Sequence, residues 1–274
     1  MIRALLVLAA LLALGACSTT RPGGYYQDDG PHDRARVDVS NIPDAVPRDD
    51  PPAARGNNPY KVFGVNYTPL KKATGYRERG VSSWYGKKFH GRLTSSGEPY
   101  DMYAMTAAHK TLPLPTYVRV RNLSNGKTVV VRVNDRGPFH DNRLIDLSYA
   151  AATRLGIVGT GTGLVEVEAV SATEAPVMAS KPAGPELIAR ANAAEVPRLY
   201  LQVGAFASRE NAEAARSNLV AAGLTPVHIE SAQRDGAPVW RVRLGPLATV
   251  EESDHLAARI SAQGFPSPIV AVEP

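Results

Sequence analysis

Alternation of apolar and polar positions is the strongest signal in the middle of this chain. Tyr117-Val118-Arg119-Val120-Arg121 repeats with period two, residues 128–133 form a second apolar-rich run, and Asn125-Gly126 stands between them. Period two marks a half-buried strand, and two strands around Asn-Gly predict a hairpin. Val165-Glu166-Val167-Glu168 alternates again and closes the segment. Residues 147–155 predict a single helix, with Asp146 as N-cap and Gly156 as terminator. Many short strands with one helix predict a small β-barrel.

The last segment carries an internal repeat. Val203-Gly204-Ala205-Phe206-Ala207-Ser208 recurs as Leu244-Gly245-Pro246-Leu247-Ala248-Thr249, an offset of 41 residues that also maps Glu210 onto Glu251 and Gly223 onto Gly264. Each copy reads as a strand, a glycine-containing loop and a helix. Ser208 and Thr249 stand at N-cap positions, Thr249 with Glu252 makes a capping box, and the two glycines stand where helices end. A further strand after each helix gives the order βαββαβ, a ferredoxin-like layer. Neither half covers its sheet face alone.

The N-terminal part lacks both periods. Arg3 precedes an apolar run over 4–14, too short to span a bilayer, and Leu14-Gly15-Ala16-Cys17 follows. This resembles a bacterial lipoprotein signal, which implies cleavage before Cys17 and a lipid on that residue, the single cysteine of the chain. Ser18, where Asp would signal inner-membrane retention, implies the outer membrane and a periplasmic orientation. Once Cys17 is lipidated no thiol remains for a disulfide or a metal site. Residues 18–77 are rich in Pro, Gly, Asp and Arg and read as a flexible tether, whose more apolar end, Tyr60-Lys61-Val62-Phe63-Gly64, packs on the next domain. The expected organisation is a leader at 1–17, the tether at 18–77, a barrel at 78–170, a disordered linker at 171–197 and the βαββαβ unit at 198–274.

Charge and motifs narrow the chemistry. The net charge is +5, and residues 79–170 hold 12 basic against 7 acidic side chains while 198–272 hold 7 of each. A basic barrel outside the cytoplasm argues against nucleic acid and fits either a groove for an anionic envelope polymer or an ordinary solvated surface. There is no HExxH, and Gly126-Lys127-Thr128 ends like a phosphate loop but lies in the predicted hairpin, so no metal or cofactor is expected. Glu98, Asp101, His109 and Asp135 are four titratable groups on or beside barrel loops. Glycosidic cleavage needs a carboxylic acid that stays protonated near neutrality, and hydrolases add a second carboxylate. Each residue also has a local reading: Glu98 and Asp101 as solvated turn residues, Asp135 as an Asx turn, His109 as a satisfied histidine at a strand end. Spacing alone leaves both open.

Ser82-Ser83-Trp84-Tyr85-Gly86, Phe89-His90-Gly91, Thr106-Ala107-Ala108-His109, Leu112-Pro113-Leu114-Pro115, Asn134-Asp135-Arg136-Gly137-Pro138-Phe139 and Ile145-Asp146-Leu147-Ser148 resemble the rare lipoprotein A family. The repeat resembles the SPOR domain. The resemblance implies a mainly β chain: a six-stranded double-psi β-barrel followed by a ferredoxin-like α+β SPOR unit. It implies an endolytic peptidoglycan lytic transglycosylase, a lyase that cuts the MurNAc–GlcNAc bond of peptide-free septal glycan and leaves 1,6-anhydro-MurNAc ends. Asp135 corresponds to the acid/base of related transglycosylases; Glu98, His109 and Asp101 fall on or beside polar positions linked with activity. Tyr85, Trp84 and Arg136 are placed along the substrate groove, and Gln202, Phe206, Arg241 and Arg243 on the glycan-binding sheet. Implied partners are glycan strands, the outer membrane through Cys17, and divisome or amidase proteins. The alternatives are a non-catalytic glycan-binding lipoprotein and a water-using muramidase.

Overall fold

The computed structural model describes residues 29, 38–39, 41–172, 197–234 and 236–273. Cys17, its leader and most of the 171–197 linker lie outside them.

Six strands close the barrel: β3 (Arg77–Tyr85), β4 (Thr106–His109), β5 (Thr116–Asn122), β6 (Thr128–Asp135), β7 (Ile145–Ser148) and β8 (Gly163–Ala169), in the order β3-β7-β4-β6-β5-β8. The β3/β7 and β4/β6 pairs are parallel and the others antiparallel. Alternation fills the interior: Val118, Val120, Val129, Val131 and Val133 are at most 1% exposed. The β5–β6 connection is longer than a two-residue turn, because Asn122 and Asn125 both donate to the carbonyl of Leu155, at 3.0 and 2.9 Å. The hairpin end thereby closes the C-terminus of helix α1 (Tyr149–Leu155). That helix starts later than expected. Its N-cap is Ser148, whose Oγ accepts from Ala151 N at 3.2 Å, while Asp146 lies within β7.

The expectation of a flexible tether to residue 77 is corrected from residue 41 onward. Ala45 N donates to Val130 O at 3.0 Å, and Asp44 pairs with Arg154. The Asn57 side chain bonds both backbone groups of Leu114 at 2.7 Å. Polar side chains reaching barrel backbone hold this stretch, so hydrophobic periodicity did not reveal it. A short hairpin, β1 (Tyr60–Val62) with β2 (Val65–Tyr67), ends the extension.

The second unit is β9 (Arg198–Phe206), α2 (Arg209–Ala221), β10 (Val227–Arg234), β11 (Ala237–Leu247), α3 (Val250–Ala262) and β12 (Ile269–Glu273). Its antiparallel sheet has the order β10-β11-β9-β12, the ferredoxin-like arrangement. Ser208 and Thr249 cap the helices as the repeat predicts. Leu199, Leu201, Val242 and Leu244 face Leu219 and Ile260 in its core. The barrel's Val81 is buried in that same core, and Arg143 makes a two-pronged pair with Asp254 of α3, at 3.1 and 2.6 Å.

Candidate active site

The barrel's pairing lines up two carboxylates. Ser83 pairs with Asp146, Asp146 with Ala108, and Ala108 with Asp135, so the four residues form one row across β3, β7, β4 and β6. Strands lie about 4.8 Å apart, which puts the backbones of Asp135 and Asp146 roughly 10 Å apart with a small Ala108 between them. A register shift between Ala107 and Ala108 re-aims Asp135 at the end of its strand.

The two carboxylates differ. Asp135 Oδ1 accepts from Ser95 N at 2.7 Å, Ser95 Oγ at 2.6 Å and Arg136 N at 2.7 Å. These bonds converge on one oxygen and hold the 94–98 loop against the end of β6. Asp146 Oδ1 accepts from Ser83 Oγ at 2.5 Å. Burial pushes its carboxyl up to about 6, and the Asp135 charge adds to the rise; the Ser83 bond and the Arg143 and Lys110 charges oppose it. Asp146 still keeps partial solvent access. A carboxyl whose proton is held up toward neutrality is what general-acid chemistry requires. Asp146 is the functional candidate that sequence reasoning read only as an N-cap. The signal was an acidic residue within the apolar run Ile145-Asp146-Leu147.

The other expected site residues fall into different roles. Glu98 bonds Arg132 Nη1 at 2.6 Å and Asn134 Nδ2 at 3.0 Å, and the Arg132 hydrogen bond leads the effects that hold its carboxyl below the usual range. It supports the loop that carries Ser95. His109 is 2% exposed; its Nδ1 accepts from Thr111 N and Leu112 N, and its Nε2 meets Tyr76 Oη at 2.9 Å. Burial first, then the Arg136 and Lys110 charges, lower it to about 3. The ring is neutral and turned to Tyr76, with no hydrogen bond to Asp135. Asp101 is exposed and closes an Asx turn with Tyr103 N at 2.9 Å.

Arg136 is also corrected as a groove residue. It is 8% exposed, and its guanidinium donates to the carbonyls of Gly56, His109 and Leu112 at 2.9, 3.0 and 2.6 Å. Nη2 also donates to Asn57 Oδ1 at 3.3 Å, so most of the guanidinium is bound to the chain itself. Trp84 packs on Tyr149, and Tyr85 stacks on Tyr100 with ring centres 4.0 Å apart, so both are largely core. In the second unit Arg243 is 5% exposed and paired with both Glu230 and Glu273, and Phe206 packs against the core. Arg243 is thus engaged within the chain, while Phe206 is partly buried against the core. Gln202 and Arg241 stay partly exposed on the sheet.

Cavities of about 420 and 530 Å³ border the barrel, one walled by Glu98, Arg132 and Asp50, the other between the β1–β2 hairpin, residues 139–142 and α3. Neither is lined by Asp135 or Asp146. A polymer laid across a surface needs no enclosed chamber, so the carboxylates locate the chemistry. Among the described residues no cluster of three or more His, Cys, Asp or Glu could hold a metal ion, and no helix is long and apolar enough to cross a membrane.

The family model described as "Lytic transglycolase" matches residues 77–168, and the SPOR domain model matches 196–271. A protein of Pseudomonas aeruginosa named "Endolytic peptidoglycan transglycosylase RlpA" is 39% identical, with 97% of each chain covered. One of Vibrio cholerae with the same name is 42% identical over 98% of this chain and 96% of its own. This chain belongs to the RlpA family. The crystal structure of an RlpA SPOR domain from Pseudomonas aeruginosa is 37% identical, covering 28% of this chain and 99% of its own, with a TM-score of 0.26. In the RlpA family member described here, the lytic-transglycolase match spans both carboxylates and the SPOR match spans the repeat.

Proposed function

We propose that this RlpA-family chain is an endolytic peptidoglycan lytic transglycosylase acting on peptide-free septal glycan, held at the periplasmic face of the outer membrane by lipid on Cys17. The observation that carries the reading is the row across β3, β7, β4 and β6 that sets Asp146 and Asp135 on either side of Ala108, with burial pushing the Asp146 carboxyl up to about 6. Asp146 takes the donor role that the sequence assigned to Asp135. It gives its proton to the oxygen linking MurNAc to GlcNAc as that bond breaks. The muramic C6 hydroxyl attacks C1 and its proton passes to a carboxylate of the pair. Asp135 fits that acceptor, because its protein hydrogen bonds all fall on Oδ1. The 1,6-anhydro ring closes, GlcNAc leaves with a free hydroxyl, and no water is consumed. The relatives' names and the SPOR match support a peptidoglycan substrate.

The test is incubation of the lipid-free chain, Thr19 onward, with peptide-free and with intact peptidoglycan, followed by mass spectrometry of soluble products. Anhydro-muramic ends from the wild type, and from neither Asp146→Asn nor Asp135→Asn, are expected. Reducing ends point to hydrolysis instead. Sedimentation with glycan and no product overturns the catalytic reading in favour of a binding lipoprotein.

A further inference from the structure

Beside the carboxylate pair, the backbone after β3 makes a small anion site that is already filled. Gly86 N and Lys88 N point to one carboxylate, that of Asp29, with Oδ2 at 2.9 Å from the first and Oδ1 at 2.8 Å from the second. Backbone amides converging in a turn form a concavity that favours a negative charge. Asp29 lies 57 and 59 residues away in sequence and is only 8% exposed. A Cβ on Gly86 would stand 2.6 Å from the Asp29 carbonyl oxygen and 3.2 Å from Oδ1, so a glycine is what lets the acid seat this closely. Lys88 is exposed at the rim, and the ring of Phe89, 46% exposed, lies alongside.

The site adjoins the proposed chemistry. Gly86 follows Tyr85, whose carbonyl accepts from Tyr100 Oη at 2.6 Å. The charges of Asp29 and Asp146 both reach the Tyr100 hydroxyl, and those of Asp135 and Asp146 both reach Tyr85. An anion seated at Gly86 and Lys88 thus sits one tyrosine pair away from the acid.

We propose that the Gly86–Lys88 amide pair is the subsite for the free lactyl carboxylate of a peptide-free muramic residue, and that Asp29 occupies it as an internal stand-in until substrate displaces it. The inference rests on the transglycosylase reading for the identity of the polymer. The chemistry supplies the selectivity. A stem peptide turns the lactyl carboxylate into a neutral amide, which offers one weaker acceptor and brings an N–H with no acceptor in the site. A free carboxylate offers two charge-assisted acceptors to two donors, matching the Asp29 geometry. Peptide-free glycan is therefore distinguished at a single functional group.

The experiment follows the amides of Gly86 and Lys88 by ¹⁵N NMR in the lipid-free chain from Thr19 onward. N-acetylmuramic acid is titrated against the amide formed from it and L-alaninamide. In Asp29→Asn, which keeps the side-chain size, the free acid is expected to shift both amides at a concentration at least tenfold lower than in wild type. The neutral amide is expected to leave them in place, and turnover of peptide-free glycan to rise. Equal shifts with both sugars, or none at Gly86 and Lys88 with either, overturn the subsite. Selective shifts in a chain that forms no anhydro product keep the subsite and remove the catalytic reading alone.

Discussion

Replacing Asp146 by Asn is expected to stabilise the protein while removing its activity, and the stabilisation has a defined pH course. Well below pH 3.8 the carboxyl is protonated in the folded and unfolded chain alike and costs nothing. As pH rises from 3.8 toward about 6 the unfolded chain ionises and the folded one does not, so the wild type loses stability through that window. Above it the full penalty is present, ~3 kcal/mol at 1.36 kcal/mol per pH unit. Asparagine has nearly the same shape and no titration, and Ser83 Oγ can turn to accept from its amide. Urea unfolding of both proteins between pH 4 and 8 reads the difference as a change in midpoint at constant slope. The gap should be about 0.5 kcal/mol at pH 4 and about 3 kcal/mol in favour of Asp146→Asn at pH 8. A gap that stays constant, or closes above pH 6, refutes the argument that burial holds the proton on this group.

His109 is expected to keep one charge state, so its Cε1–H resonance should stay fixed between pH 5 and 8; a titration there overturns the neutral-ring assignment. His109→Ala leaves the Thr111 and Leu112 amides without their acceptor and should cost roughly 2–4 kcal/mol in urea unfolding. Arg136→Lys cannot serve three carbonyls with one ammonium, so stability should fall by about 2–3 kcal/mol. Loss of glycan binding at unchanged stability would instead restore Arg136 to the groove. Arg143→Ala leaves Asp254 unpaired at the contact between barrel and second unit; small-angle scattering should then show a larger radius of gyration, and an unchanged profile would mean that the Val81 contact suffices.

Where residues alternate or repeat locally, the sequence was readable. Period two found β5 and β8, the hairpin around Asn-Gly found β6, and the 41-residue repeat found the ferredoxin-like order and both helix N-caps. Roles that depend on which strand lies beside which were not readable. The Asp146 carboxyl is pushed up because β3 and β4 flank β7 and bury it, one parallel and one antiparallel pairing that no local period records. Arg136 and His109 carry residue types common in active sites, yet their partners are backbone groups of neighbouring loops. The 41–77 stretch has the composition of a linker because Asp44, Asp50 and Asn57 act through hydrogen bonds to distant segments.

The seat of Asp29 also sets a reach. A fully extended chain covers at most about 3.5 Å per residue. If Cys17 carries the lipid proposed for it, the 12 residues from there to a docked Asp29 allow the barrel to stand no more than ~40 Å from the anchor. With Asp29 released, the next described hold is the buried Val39, 22 residues from Cys17, and the limit nearly doubles to ~75 Å. Filling the amide pair with glycan would then do two things at once. It would seat the sugar beside the acid, and it would let out the slack by which the enzyme follows a strand away from the membrane.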